Sequence, residues 1–110
     1  IEFSTEGLNV TLVQAPAPSD YKAKDDAIEH YGLGNQLAHS RKFEDAILEY
    51  KQASRLDPGY PHPHRALGVV YAALGKRELS QTSYQTYLRL APHAADKPQV
   101  LKIVKASDSE

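Results

Sequence analysis

The spacing of apolar residues changes character near residue 19. Before it, Leu8, Val10 and Leu12 alternate with Asn9, Thr11 and Val13, a period-two, β-prone pattern. Ala15-Pro16-Ala17-Pro18 follows, and its prolines block helix and ladder alike, which predicts a stiff linker. Residues 1–19 are therefore expected to form an extended, strand-like tail or linker. The alternatives are a disordered tail, a strand left from a preceding domain, or one that pairs with another chain. Ile1-Glu2-Phe3 reads as a cloning scar and carries no weight for the fold.

From Ser19 onward the period becomes helical. Ser19 and Asp20 suit the cap of a helix running to about His39. A second helix is predicted from Phe43 to Leu56, where Ala46, Ile47, Tyr50, Ala53 and Leu56 share helical spacing. Asp57-Pro58-Gly59 stops it, because a residue before proline avoids helical angles. Pro61-His62-Pro63 opens a third helix that carries Leu67, Val70, Tyr71 and Leu74 and ends at Gly75. A fourth is predicted from about Glu78 to Leu90, before Pro92, and a last from about Asp96 to Ala106 with Val100, Leu101 and Val104 in register. The expected fold class is all-α, with residues 20–110 forming one helical domain.

Composition narrows the function classes more than it identifies one. The chain has 110 residues, a formal net charge of −1, 41% hydrophobic and 25% charged residues. These values suit one small globular domain and argue against nucleic acid or an anionic membrane as the main partner. No apolar run reaches the ~20 residues of a membrane helix. Without cysteine there is no disulfide framework, thiolate zinc site or cysteine nucleophile, and compartment stays open. The chain also contains no methionine, even at position 1, so it is expected to be a fragment or processed product of something longer.

Internal self-similarity is the strongest signal. A shift of 34 positions pairs His30 with His64, Leu33 with Leu67, Gly34 with Gly68 and Ala38 with Ala72. It also pairs Lys42 with Lys76, Glu44 with Glu78, Tyr50 with Tyr84, Arg55 with Arg89, Leu56 with Leu90 and Pro58 with Pro92. That period belongs to helix–turn–helix arrays. Gly34 and Gly68 fall in mid-helix, where glycine costs about 1 kcal/mol against alanine. Such a cost is tolerable where a neighbouring helix crosses and a side chain would collide with it. Ala46 and Ala53 are small for the same reason, Tyr50 and Tyr84 are large fillers, and Pro58 and Pro92 end each unit.

On Leu33-Gly34-Asn35, Leu37, Phe43, Ala46, Tyr50, Ala53 and Asp57-Pro58 the chain resembles tetratricopeptide repeats. The resemblance implies a short right-handed α-solenoid, with one repeat at about 27–60, a second at about 61–94 and a capping helix at about 96–106. Leu33, Gly34, Ala46, Tyr50, Ala53, Pro58, Leu67, Gly68, Tyr71, Tyr84 and Pro92 are the repeat-packing positions it implies. The second repeat departs from the pattern at Ser80 and Tyr87, where small residues are preferred. Tyr87 predicts a repacked seam against the last helix.

The same resemblance implies a concave groove lined by the first helix of each pair. Its residues would be Ile28, Tyr31, Asn35, Ala38 and His39, then His62, Arg65, Val69, Ala72 and Ala73, with Gln99 and Ile103 from the last helix. Aromatic and aliphatic anchors beside an Asn and an Arg suit a peptide. The repeats that clamp the C-terminal carboxylate of heat-shock chaperones place a Lys and two Asn on this face. Asn35 fits that scheme, but Tyr31 and Val69 stand at the other two positions, which counts against a clamp.

Candidate chemistry is sparse. The five histidines, His62 and His64 closest among them, lack a convergent carboxylate or thiolate set, so no metal is expected. Asp25-Asp26 and Glu44-Asp45 sit near helix starts, where carboxylates favour the macrodipole, and adjacent helical residues point apart. The six glycines form no phosphate loop, and no serine has a nucleophile-elbow context. The expectation is a non-catalytic protein–protein interaction scaffold without cofactor, binding a peptide or helix of a partner, as the terminal part of a larger bacterial regulatory or assembly protein. The alternatives are a self-association module acting through the tail or terminal helices, and a regulatory domain appended to an enzyme such as a kinase.

Overall fold

The computed structural model describes the backbone of residues 17–108 and the side chains of residues 21–106. The strand expected around Leu8–Val13 lies outside the described residues. Helices α1 (Ala17–His39), α2 (Phe43–Leu56), α3 (His62–Ala73), α4 (Arg77–Leu90) and α5 (Lys97–Asp108) follow one another, with no strand among the described residues. Helix α1 pairs with α2 and α3 with α4, α3 also packs on α2, and α5 packs on α4. This is an all-α helical repeat.

One start differs from expectation. Helix α1 begins at Ala17, so Pro18 lies in its first turn instead of in an extended linker, and Ser19 and Asp20 lie inside the helix. A first-turn N–H has no intrahelical acceptor, so proline there forfeits nothing and its fixed φ already suits a helix. Pro63 does the same in α3.

The two turns inside the helix pairs are built alike. After α1 the N–H of Lys42 bonds to the carbonyl of Leu37 at 2.8 Å, and after α3 the N–H of Lys76 bonds to Tyr71 at 2.9 Å. Each turn needs one left-handed residue, which is Arg41 (φ 61°) in the first and Gly75 (φ 76°) in the second. Glycine adopts that conformation without strain, whereas Arg41 accepts it and lays its guanidinium over the Phe43 ring at 5.7 Å.

The core has two centres. Ala46 and Tyr50 of α2 meet Leu67, Val70 and Tyr71 of α3, with Tyr31, Leu37 and Phe43 around them. Tyr84 and Tyr87 of α4 meet Val100 and Val104 of α5. Gly34 and Gly68 lie directly under the rings of Tyr50 and Tyr84. Ser80, where the repeat pattern prefers a smaller residue, is buried and donates its hydroxyl to the Gly68 carbonyl at 2.7 Å. The extra oxygen is satisfied by the backbone it packs on.

One repeat-packing position differs in burial from its counterpart. Leu33 is 41% exposed, although its counterpart Leu67 is 5% exposed. Leu67 is covered because α3 lies against α2, while among the described residues no helix precedes α1 to cover Leu33. Pro58 and Pro92 are exposed and sit in the turns after α2 and α4. There they follow the last residues of α2 and α4, where a proline cannot continue a helix.

Candidate functional site

Helices α1 and α3 lie side by side and place Tyr31, Asn35, His62, Arg65 and Val69 around one cleft of about 180 Å³, floored by Tyr50 and Val70. His39 lines the adjoining depression with Asn35, Ala38, Phe43 and Val69. Ala72 lies apart, in a separate depression with Arg77, Ser80 and Ile103. Ile28 is 56% exposed and lines none of these three. The structure therefore brings together six of the twelve groove residues, Tyr31, Asn35, Ala38, His62, Arg65 and Val69, around one cleft, with His39 at its continuation.

The cleft is held from below. Tyr50 is buried, and its hydroxyl donates to Asn35 Oδ1 at 2.7 Å. Burial, and secondarily the neighbouring Tyr31, pushes the Tyr50 phenol up to about 12, so it stays a donor throughout the ordinary pH range. With Oδ1 taken, the Asn35 amide presents its nitrogen, which calls for an acceptor on whatever sits above it. Tyr31 packs against Tyr50 (centroids 5.9 Å), Tyr60 (5.7 Å) and His62 (6.0 Å), and Tyr60 stands edge-on to His62 at 5.4 Å. These offset and edge contacts fix rings that would otherwise rotate freely. Tyr60 escaped sequence reasoning because it lies between the helices; its signal was the Tyr60-Pro61-His62 run.

Arg65 is tied to the start of α5. Its Nε donates to Asp96 Oδ2 at 2.6 Å, and the Tyr87 hydroxyl donates to Asp96 Oδ1, also at 2.6 Å. The repeat shift that relates Gly34 to Gly68 carries Tyr31 onto Arg65 and His62 onto Asp96. The ring contact that closes α1 on the start of α3 thus recurs as an ion pair that closes α3 on the start of α5. That correspondence was the available signal for Asp96, which the groove prediction lacked.

The Tyr87 hydrogen bond, followed by that from Arg65, holds the Asp96 carboxyl below its ordinary value. A carboxyl depressed in the folded state contributes stability that is complete above the unfolded value of about 3.9 and lost as pH falls through the folded one. Backbone amides in the first turn of α5 should therefore exchange faster as pH is lowered below about 4, relative to α3 amides. Asp96→Asn should remove that difference.

Two histidines also make contacts between helices. His30 donates from Nδ1 to Glu49 Oε1 at 2.6 Å, and Ser54 Oγ lies 3.4 Å from His64 Nε2. Burial, and then Arg89, lowers the His64 value and favours its neutral ring. Among the described residues no three His, Asp or Glu side chains gather as a metal site, and no helix is long and apolar enough to cross a membrane.

A family model described as a TPR repeat matches residues 34–75, which run from the second half of α1 through α2 and α3 to the turn before α4. The tetratricopeptide resemblance read from Leu33-Gly34-Asn35 to Asp57-Pro58 is borne out over that stretch. No curated protein matches the chain.

Proposed function

We propose that the chain is a non-catalytic module that binds a peptide segment of a partner protein in the α1–α3 cleft. The TPR match supports a protein-interaction module in general. What carries the finer reading is the convergence of Tyr31, Asn35, His62, Arg65 and Val69 on one cleft whose floor fixes the Asn35 amide. Tyr31 and Val69 offer apolar contact, and Asn35 and Arg65 both donate. The favoured ligand is therefore a segment presenting backbone carbonyls or carboxylates, with a small apolar side chain between them.

Peptides selected on the chain from a random displayed library test this. Simultaneous Tyr31→Ala, Asn35→Ala and Arg65→Ala should weaken the selected peptides by about 100-fold or more, since central aromatic and arginine anchors carry most of such binding. Circular dichroism should show the helices retained. Selected peptides that bind the triple variant as tightly as the native chain would sink the proposal.

Self-association is the second reading, favoured by the uncovered Leu33. It predicts a light-scattering mass that rises with concentration and reverts to the monomer value in Leu33→Gln. A mass independent of concentration counts against it.

A further inference from the structure

We propose that Asp96 is a built-in competitor at the groove: by holding Arg65 it seats the first turn of α5, and a ligand carboxylate that takes the guanidinium unseats that turn. The inference rests on the groove reading above and adds a conformational consequence to it.

The two equivalent seams differ in what can break them. At the first, Tyr31 meets His62, and Tyr60 packs against both rings. No anion substitutes for such a contact, because it carries no charge complementarity to exchange. At the second, Arg65 meets Asp96 at 2.6 Å with side chains 45% and 29% exposed. Water, salt and other anions reach that pair, and exposed ion pairs are weak enough to be exchanged.

The pair is also placed to transmit the exchange. Arg65 lines the cleft, whereas Asp96 immediately precedes α5 and bonds to Tyr87, whose ring supports Val100 and Val104. An arginine best binds a carboxylate through two parallel N–H groups, and Asp96 occupies the Nε edge. A ligand carboxylate that takes the Nε edge of Arg65 meets Asp96 there as a like charge. That edge cannot hold both carboxylates, so ligand and Asp96 compete for it. By linkage, whatever factor Asp96 removes from ligand affinity, the ligand removes from the seating of α5.

The test uses the capped peptide Ac-Ala-Glu-Ala-Ile-Glu-NH2 and its glutamine counterpart, titrated into the native chain and Asp96→Asn. Binding is followed on the Arg65 Nε–H resonance, and α5 by amide exchange at residues 97–101, Pro98 excepted. The acidic peptide should bind Asp96→Asn about three- to tenfold more tightly than the native chain. On the native chain it should speed exchange at 97–101, and the glutamine peptide should do neither.

Equal affinity for both chains, or unchanged α5 exchange at saturation, overturns the proposal. So does failure of the acidic peptide to bind either chain. That last result leaves the groove reading standing, because library selection admits uncharged ligands. Conversely, acidic binding and α5 loosening that persist when Tyr31 and Asn35 are replaced by alanine keep the competitor and remove the peptide groove. A measurement on the native chain alone guards against misfolding of the variant. Raising NaCl from about 0.05 to about 0.5 M should speed exchange in the first turn of α5 while sparing the first turn of α3. Equal loosening of both turns overturns the proposal.

Discussion

Gly34→Ala is expected to destabilise the chain by about 1–2 kcal/mol, the opposite sign from its helix propensity. An alanine in an exposed helix interior is favoured over glycine by about 1 kcal/mol. At Gly34 the added Cβ would stand 2.5 Å from Tyr50 Cε1, 2.7 Å from Cδ1 and 3.0 Å from Cζ. Those atoms belong to a rigid ring that has nowhere to go. Tyr50 is 2% exposed, packs on Tyr31, and is tethered through its hydroxyl to Asn35. Relief requires α1 and α2 to separate, and overpacking of that kind costs about 1–3 kcal/mol before the propensity gain is subtracted.

Gly32, half a turn earlier on the same helix, is the internal control, because nothing lies within 4 Å of the position its Cβ would take. Gly32→Ala should raise the urea midpoint where Gly34→Ala lowers it. Gly68→Ala should behave like Gly34→Ala, with its Cβ 2.8 Å from Tyr84 Cε2. Pairing Gly34→Ala with Tyr50→Leu should cost less than the two changes summed, since removing the ring removes the collision. Matching stabilities for Gly32→Ala and Gly34→Ala would mean that the close approach does not require glycine. A shifted Tyr50 ring should also release Asn35, so peptide affinity should fall in Gly34→Ala and not in Gly32→Ala.

This glycine shows why so much of the fold was legible beforehand. A costly residue recurring at 34 positions, each time followed sixteen residues later by a tyrosine, leaves little choice but a crossing of paired helices. Helix α2 begins and ends where Phe43 and Asp57-Pro58 predict. The misses share a cause: reasoning by repeat position assumes that every unit has the same neighbours. Leu33 takes the place of Leu67 in the pattern, but among the described residues no helix covers it as α2 covers Leu67. Pro18 reads as a breaker until it is known to fall in a first turn, where it breaks nothing. Ile28 and Ala72 occupy groove positions in the pattern, yet neither lines the cleft between α1 and α3. Tyr31 and His62 do, with Tyr60 packed against both rings. Arg65–Asp96 was the least legible feature. Only the repeat shift relates it to Tyr31–His62, and the two pairs share no chemistry.

Tyr87→Ala is expected to cost about 3–5 kcal/mol in the seating of α5, the largest effect of any single truncation at this end of the chain. Tyr87 is 5% exposed and stands where the first repeat has Ala53. An alanine in α4 would suit a helix packed as closely as α3 packs on α2. Here α5 rests instead on the ring, with Val100 and Val104 against it. Truncation leaves a cavity under both valines and removes the donor to Asp96 in the same step. Tyr87→Phe separates the two contributions: it keeps the ring and removes the hydroxyl, and should cost about 1–2 kcal/mol, the range of a hydrogen bond to a partly exposed charged group. In a repeat array each unit is stabilised by its nearest neighbours, so the damage should stay local. Amide protection should collapse across α5 in Tyr87→Ala, while the core of Tyr50, Leu67, Val70 and Tyr71 retains its protection. Uniform loss of protection from α1 to α5 would show that the chain unfolds as one unit, and that Tyr87 supports the whole array and not its last helix alone.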